Sequence, residues 1–334
     1  MIERWVALWD RREAPTSLAL TRIFVGTVVL FDLLAAQLAG AVPELWTPPP
    51  LGMAGGFSGE LPLTAQWLGA TPATALLLWR VAVVSSLLFL FGALHRPSGF
   101  VLTFALAQLG HCQPDSDGFD RLMRIAVPIL ALSRADARWS VDAWVRRKLG
   151  KTAPARVPAW PRYLLAFQLA WTYFSAAHNR DDPAWWPHGG FSAIGQILAD
   201  PHFARFPAGS LSFLYPLTQL ATAATMLFEL SAPLMVLSRD LYGDKARGGR
   251  WTELTRKYRL RWAWLGLGVL LHLGIALTMQ LGMFPFGMLA LYPAFLHPDD
   301  HRALRKPAAP SCTLPERSPS LPEGHARNQE SASL

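Results

Sequence analysis

His111, Asp120, Tyr173, His178 and Arg180 are the residues of this chain whose types suit proton transfer and anion holding. An imidazole titrates near neutral pH, a phenol relays protons, and a guanidinium holds an anion without giving up its charge. All five lie at or beside the same end of the apolar segments 99–111, 119–132 and 163–177, a level read as the outer membrane surface. That concentration defines a candidate outward-facing polar pocket, with His178 as proton carrier and Arg180 as anion holder. Gln113, Asp115, Asp117, Arg121 and Asn179 add to the same level. His111, Asp115, Asp117 and Asp120 offer an imidazole and carboxylates to a divalent ion, but Asp115-Ser-Asp-Gly118 equally reads as a turn with Asp117 as helix N-cap. No metal site is assigned.

A second set lies inside apolar segments: Arg22, Asp32, Arg80, Glu229 and His272. An ionisable side chain at bilayer depth costs enough free energy to need a partner or a task. Counting about 1.5 Å per residue from the helix ends puts Asp32 and Arg80 at one depth, about 10 Å below the outer surface. The same count puts Arg22 and Glu229 together in the inner half. Both are expected to pair and to hold the bundle together. His272, near mid-membrane, has no acid on its own helix. It is either a core histidine bonded to a carbonyl or to Gln168, or a functional group.

The elements that must position these residues follow from composition. Of 334 residues, 51% are hydrophobic and only 16% charged, too few charges for a soluble domain of this size. Runs close to the roughly 20 residues a spanning helix needs occur at 17–39, 73–94, 213–237 and 262–281, with shorter ones at 99–111, 119–132, 163–177 and 283–296. The reading is an all-α, multi-pass transmembrane bundle of about eight helices with both termini cytoplasmic. On that topology the inner segments hold 22 Lys and Arg, and the outer ones only Arg180 and Arg205. The net charge of +8 and pI near 9.9 are thereby assigned to an anionic leaflet, and nucleic acid is not needed as a partner.

The expected organisation is a cytoplasmic segment 1–16, a transmembrane domain 17–298 and a disordered cytoplasmic tail 299–334. The first span reads as retained rather than as a cleaved signal peptide. Cys112 and Cys312 fall on opposite sides and cannot pair. The outer loops are 40–72, rich in Pro and Gly, and 181–210. The second carries Trp185-Trp186, read as headgroup markers, and an interfacial helix over 190–199.

Several segments together carry a resemblance. They are Leu18-Ala-Leu-Thr-Arg22-Ile-Phe-Val-Gly26 with Asp32, Gly118-Phe-Asp120-Arg-Leu-Met-Arg124, Trp139-Ser-Val-Asp142, Gln168-Leu-Ala-Trp-Thr-Tyr173-Phe-Ser-Ala176, Phe228-Glu229-Leu-Ser-Ala-Pro233 and His272-Leu-Gly-Ile-Ala-Leu-Thr-Met279. From about Thr16 to Pro298 the chain resembles the HTTM (horizontally transferred transmembrane) domain, the membrane module of vitamin K-dependent gamma-carboxylases and of many bacterial proteins.

The resemblance implies a helical membrane fold, an outward polar cavity and a lipophilic, quinone-like ligand, with a reduced quinone as the implied cofactor. In the carboxylase a basic lysine follows the Tyr-Phe-x-Ala-Gly motif, and here that position falls on Asn179 or Arg180. Arginine stays protonated and cannot replace a desolvated lysine as base. No counterpart of the carboxylase's large lumenal domain is expected after the last span, so gamma-carboxylation is not carried over. Two readings stay open. One is redox or proton-transfer chemistry on a lipophilic ligand. The other is a non-catalytic membrane factor for export or maturation of a small peptide or protein partner. Both place the chain in the cell membrane, the cytoplasmic membrane if the source is bacterial.

Overall fold

The computed structural model describes residues 2–47, 61–111, 118–152, 154–207, 210, 212–242 and 249–300. Helices form along the apolar segments. In chain order they are α1 (Ile2–Trp9), α2 (Thr16–Leu38), α3 (Val42–Trp46), α4 (Leu63–Leu68), α5 (Pro72–Phe91), α6 (His95–His111) and α7 (Gly118–Leu132). Then come α8 (Val141–Lys148), α9 (Trp160–His178), α10 (Ala193–Ala199), α11 (Tyr215–Leu237), α12 (Arg250–Lys257), α13 (Leu260–Thr278) and α14 (Phe284–Ala290). β1 (Arg12–Glu13) pairs antiparallel with β2 (Val157–Pro158). The architecture is otherwise helical. A helix stands at each of the eight segments read from the sequence, and α2, α5, α11 and α13 are long and apolar enough to cross a membrane. The tail expected over 299–334 lies almost wholly outside the described residues.

α2 is central, packing against α5, α7, α9 and α14. Its closest crossing is with α5, where a Cβ on Gly26 would stand 2.9 Å from the Leu90 Cα. Close approach at small residues is how helices pack in lipid, where burying apolar area gives no advantage over lipid contact. Thr71 caps α5 by accepting from the Thr74 amide at 3.3 Å, Pro72 starts it, and Gly92 ends it in the left-handed conformation at φ +62°.

At the end where α2 begins, buried arginines tie the elements together. Arg162, with none of its surface exposed, donates to Glu13 at 2.7 and 2.9 Å and to the carbonyls of Leu241 and Ala294 at 2.9 and 3.1 Å. One guanidinium thereby joins β1, α9, the turn after α11 and the segment after α14. Arg261 reaches the Phe295 carbonyl at 2.9 Å and Asp300 at 2.9 Å. The Trp139-Ser-Val-Asp142 segment proves to be a capping device. Asp142 accepts from the Leu94 and His95 amides at 2.9 Å each, Ser140 accepts from the Ala143 amide at 2.9 Å, and the Trp139 carbonyl accepts from Arg22.

Neither charge pair read from depth forms. Arg22 is fully buried beside Gly92, whose added Cβ would meet its Nη1, and its bond goes to Trp139 rather than to Glu229. Arg80 does not pair with Asp32. The face of α5 that meets α2 carries Ala75, Leu78, Ala82, Ser86 and Phe89, and Trp79 donates to the Leu33 carbonyl at 2.8 Å. Arg80 stands on the opposite, exposed side with Leu77, Val81, Val84 and Leu88. Depth matched, but the helical phase did not.

Candidate functional site

Three of the buried polar side chains in the middle of the bundle meet one another. The Tyr173 hydroxyl lies 2.7 Å from His272 Nε2 and 3.2 Å from the Tyr292 hydroxyl. α9 supplies Tyr173, α13 supplies His272, and Tyr292 opens a short 3-10 turn after α14. Aromatic rings enclose them. Phe228 and Trp264 pack edge-on to Tyr173 at 4.8 and 5.9 Å between centroids, and Phe284 packs on His272 at 6.0 Å. Gly268, one turn before His272, makes the room, since a Cβ there would stand 2.0 Å from the Tyr292 hydroxyl. A polar group left unbonded in such surroundings costs about 1–3 kcal/mol, yet His272 Nδ1 is buried with no partner among the described residues.

His272 is bonded to Tyr173, not to a carbonyl or Gln168. Sequence reading missed Tyr292, although a lone hydroxyl in the apolar run 283–296 was a usable signal.

Beside this cluster runs an apolar groove of about 360 Å³ between α11 and α13, closed at one end by α10. Phe228, Leu267, Leu271, Ile275 and Met279 line it. Phe228 belongs to both features, lining the groove and touching Tyr173.

The proposed outer pocket does not gather its five residues in one place. Tyr173 belongs to the buried cluster. Arg180 turns back along α11, where both its terminal nitrogens bond the Glu229 carboxylate. Its guanidinium carbon stacks 3.8 Å from the Trp185 ring centroid, and the Trp186 indole donates to its carbonyl at 2.9 Å. The two tryptophans thus hold Arg180 in place, Trp185 at its guanidinium and Trp186 at its backbone. The Arg180 guanidinium is thus engaged by a carboxylate of its own chain, and Glu229 is accounted for without Arg22.

His178 is exposed and stacks on Phe174 at 5.7 Å. His111 is exposed at the end of α6. Asp120 lines a small pocket of about 40 Å³ with Asp32 and Arg124. Arg124 donates to the Asp120 carbonyl at 3.3 Å and lies across Gly110, where a Cβ would come within 1.8 Å of its Nη1. Cys112, Gln113, Asp115 and Asp117 lie outside the described residues, and no metal-holding group of His, Cys, Asp or Glu occurs among those described.

Apolar helices of spanning length, buried ion pairs and a phenol–imidazole cluster in an aromatic cage define a helical membrane protein. The family model for the HTTM domain matches residues 10–241, and the chain belongs to the HTTM family. No curated protein and no solved structure matches it.

Proposed function

We propose that this HTTM protein binds a lipophilic, quinone-like molecule in the groove between α11 and α13 and exchanges protons with it at His272 and Tyr173. The observation that carries this reading is the Tyr173 hydroxyl, bonded to both His272 and Tyr292 one ring away from an apolar groove. The groove takes the apolar body, and displacement of Phe228 admits the polar head. A proton accepted at the open His272 Nδ1 is matched by one leaving Nε2 along the Tyr173 and Tyr292 hydroxyls. A bound hydroquinone would supply two electrons and two protons, with dioxygen as the acceptor and hydrogen peroxide as product.

This assignment moves the proton carrier from His178 to His272. In the full topology proposed with it, eight spans cross the cell membrane, both termini are cytoplasmic, and the end of the bundle that carries Arg180 faces outward.

Oxygen uptake by the purified full chain with reduced naphthoquinone tests the reading. Uptake in the wild type, retained in His178→Ala and lost in His272→Gln and Tyr173→Phe, is expected. Equal rates in all four overturn the assignment. A second reading, a non-catalytic factor for a small peptide or protein partner, is favoured by one fact. The position matching the carboxylase lysine offers only Asn179 or an arginine already bound to Glu229. Absence of uptake in folded wild type, with a peptide retained through purification, would select it.

A further inference from the structure

Arg80 lies within α5, eight residues from its first residue Pro72, on a helix apolar enough to cross a membrane. Its side chain is exposed and makes no ion pair or hydrogen bond among the described residues. An arginine facing lipid without a partner costs about 2.5–3.5 kcal/mol at mid-bilayer and less as it nears the headgroups. That cost calls for an anion that the described residues do not supply.

Arg80 also stands at one end of a groove of about 420 Å³ between α5 and α6. Val81, Val84, Leu88, Pro97 and Val101 line it, with Leu94 at the far end. Ser85 contributes no free polar atom, because its hydroxyl donates within its own helix, to the Val81 carbonyl at 2.7 Å. From Arg80 to Leu88 the groove descends about 12 Å along α5. One cation at the head of an apolar channel directed along the membrane normal has the shape and charge of a receptor for an anionic phospholipid, phosphate at Arg80 and acyl chain below.

We infer that Arg80 and the α5–α6 groove form a binding site for one anionic phospholipid. A neutral lipid would leave the guanidinium unpaired, and a soluble anion would leave the groove unfilled. The site rests only on the chain being a membrane protein and is independent of the chemistry proposed at Tyr173 and His272.

Native mass spectrometry of the full chain in detergent, titrated with 1-palmitoyl-2-oleoyl phosphatidylglycerol and with the diacylglycerol of the same chains, tests it. One phosphatidylglycerol should bind about tenfold more tightly than diacylglycerol, the worth of one charge-assisted contact. Arg80→Gln should remove that preference, Arg80→Lys should keep most of it, and Val84→Trp should weaken both lipids by filling the groove. Arg147→Gln on the exposed face of α8 should change nothing. Equal affinity of the wild type for the two lipids overturns the inference without any variant. So does binding unaffected by Arg80→Gln and Val84→Trp in folded protein, or a dimer that Arg80→Gln dissociates, which would make the partner a second copy.

Discussion

If Arg180, and not Arg22, neutralises Glu229, the two arginines must differ in their energetic coupling to it. The Glu229 side chain keeps 9% of its surface exposed and that of Arg180 20%. Removing one member of a buried pair costs about 3–5 kcal/mol, and the partial exposure of Arg180 lowers this to about 2–3 kcal/mol. Stacking on Trp185 adds about 1 kcal/mol to what Arg180→Met loses, but that part is independent of Glu229. A double-mutant cycle of Glu229→Gln and Arg180→Met should therefore give a coupling of about 1.5–3 kcal/mol. The cycle of Glu229→Gln with Arg22→Met should stay within about 0.5 kcal/mol, as for residues without shared contacts. Reversible unfolding in mixed micelles, followed by helical circular dichroism, supplies the free energies. A coupling to Arg22 that equals or exceeds the coupling to Arg180 would refute the reasoning, because it would mean that Glu229 faces the opposite end of the bundle.

Arg162→Met should be among the most destabilising single changes, at about 4 kcal/mol or more, because it strands Glu13 and two buried carbonyls together; the same unfolding assay measures it. Gly26→Val sets a side chain against the Leu90 backbone and should cost about 1–3 kcal/mol, whereas Gly40→Val, with nothing within 4 Å but a φ of +68°, meets only backbone strain. Burial, with the nearby Arg162 adding to it, holds His297 below the ordinary histidine range. Its protonation thus favours the unfolded chain. Stability owed to it is fully present above the unfolded value of about 6.5 and is lost as pH falls through the lower folded value, so a melting curve should decline in acid less steeply for His297→Asn.

Hydropathy alone placed the helices. An apolar run of near-spanning length has one stable backbone in lipid, because every amide must bond within its own segment, and each run found in the sequence is helical here. The loop helix expected over 190–199 appears as Ala193–Ala199 for a related reason, its apolar residues lying against α11. The polar residues that needed explaining were legible too, since a charge or imidazole in an apolar run is conspicuous by type.

Which of them met was not legible. Counting from helix ends assumes that all helices end at one level, and α11 breaks that assumption. Its first turns run beside the 181–199 segment, with Gln219 donating to the Gly190 carbonyl at 2.7 Å and Thr222 accepting from the Ile194 amide at 3.2 Å. Glu229, about 21 Å from the start of its helix, is therefore level with Arg180, just past the end of α9. Helical phase, invisible to a depth count, turned Arg80 away from Asp32. The sequence by itself determined the membrane class, the helices and the inventory of groups able to do chemistry, because these depend on local composition. Only the tertiary structure decided that Tyr173, His272 and Tyr292 form one cluster, because contact between α9, α13 and the turn after α14 depends on the rotation and offset of each, which no local pattern encodes.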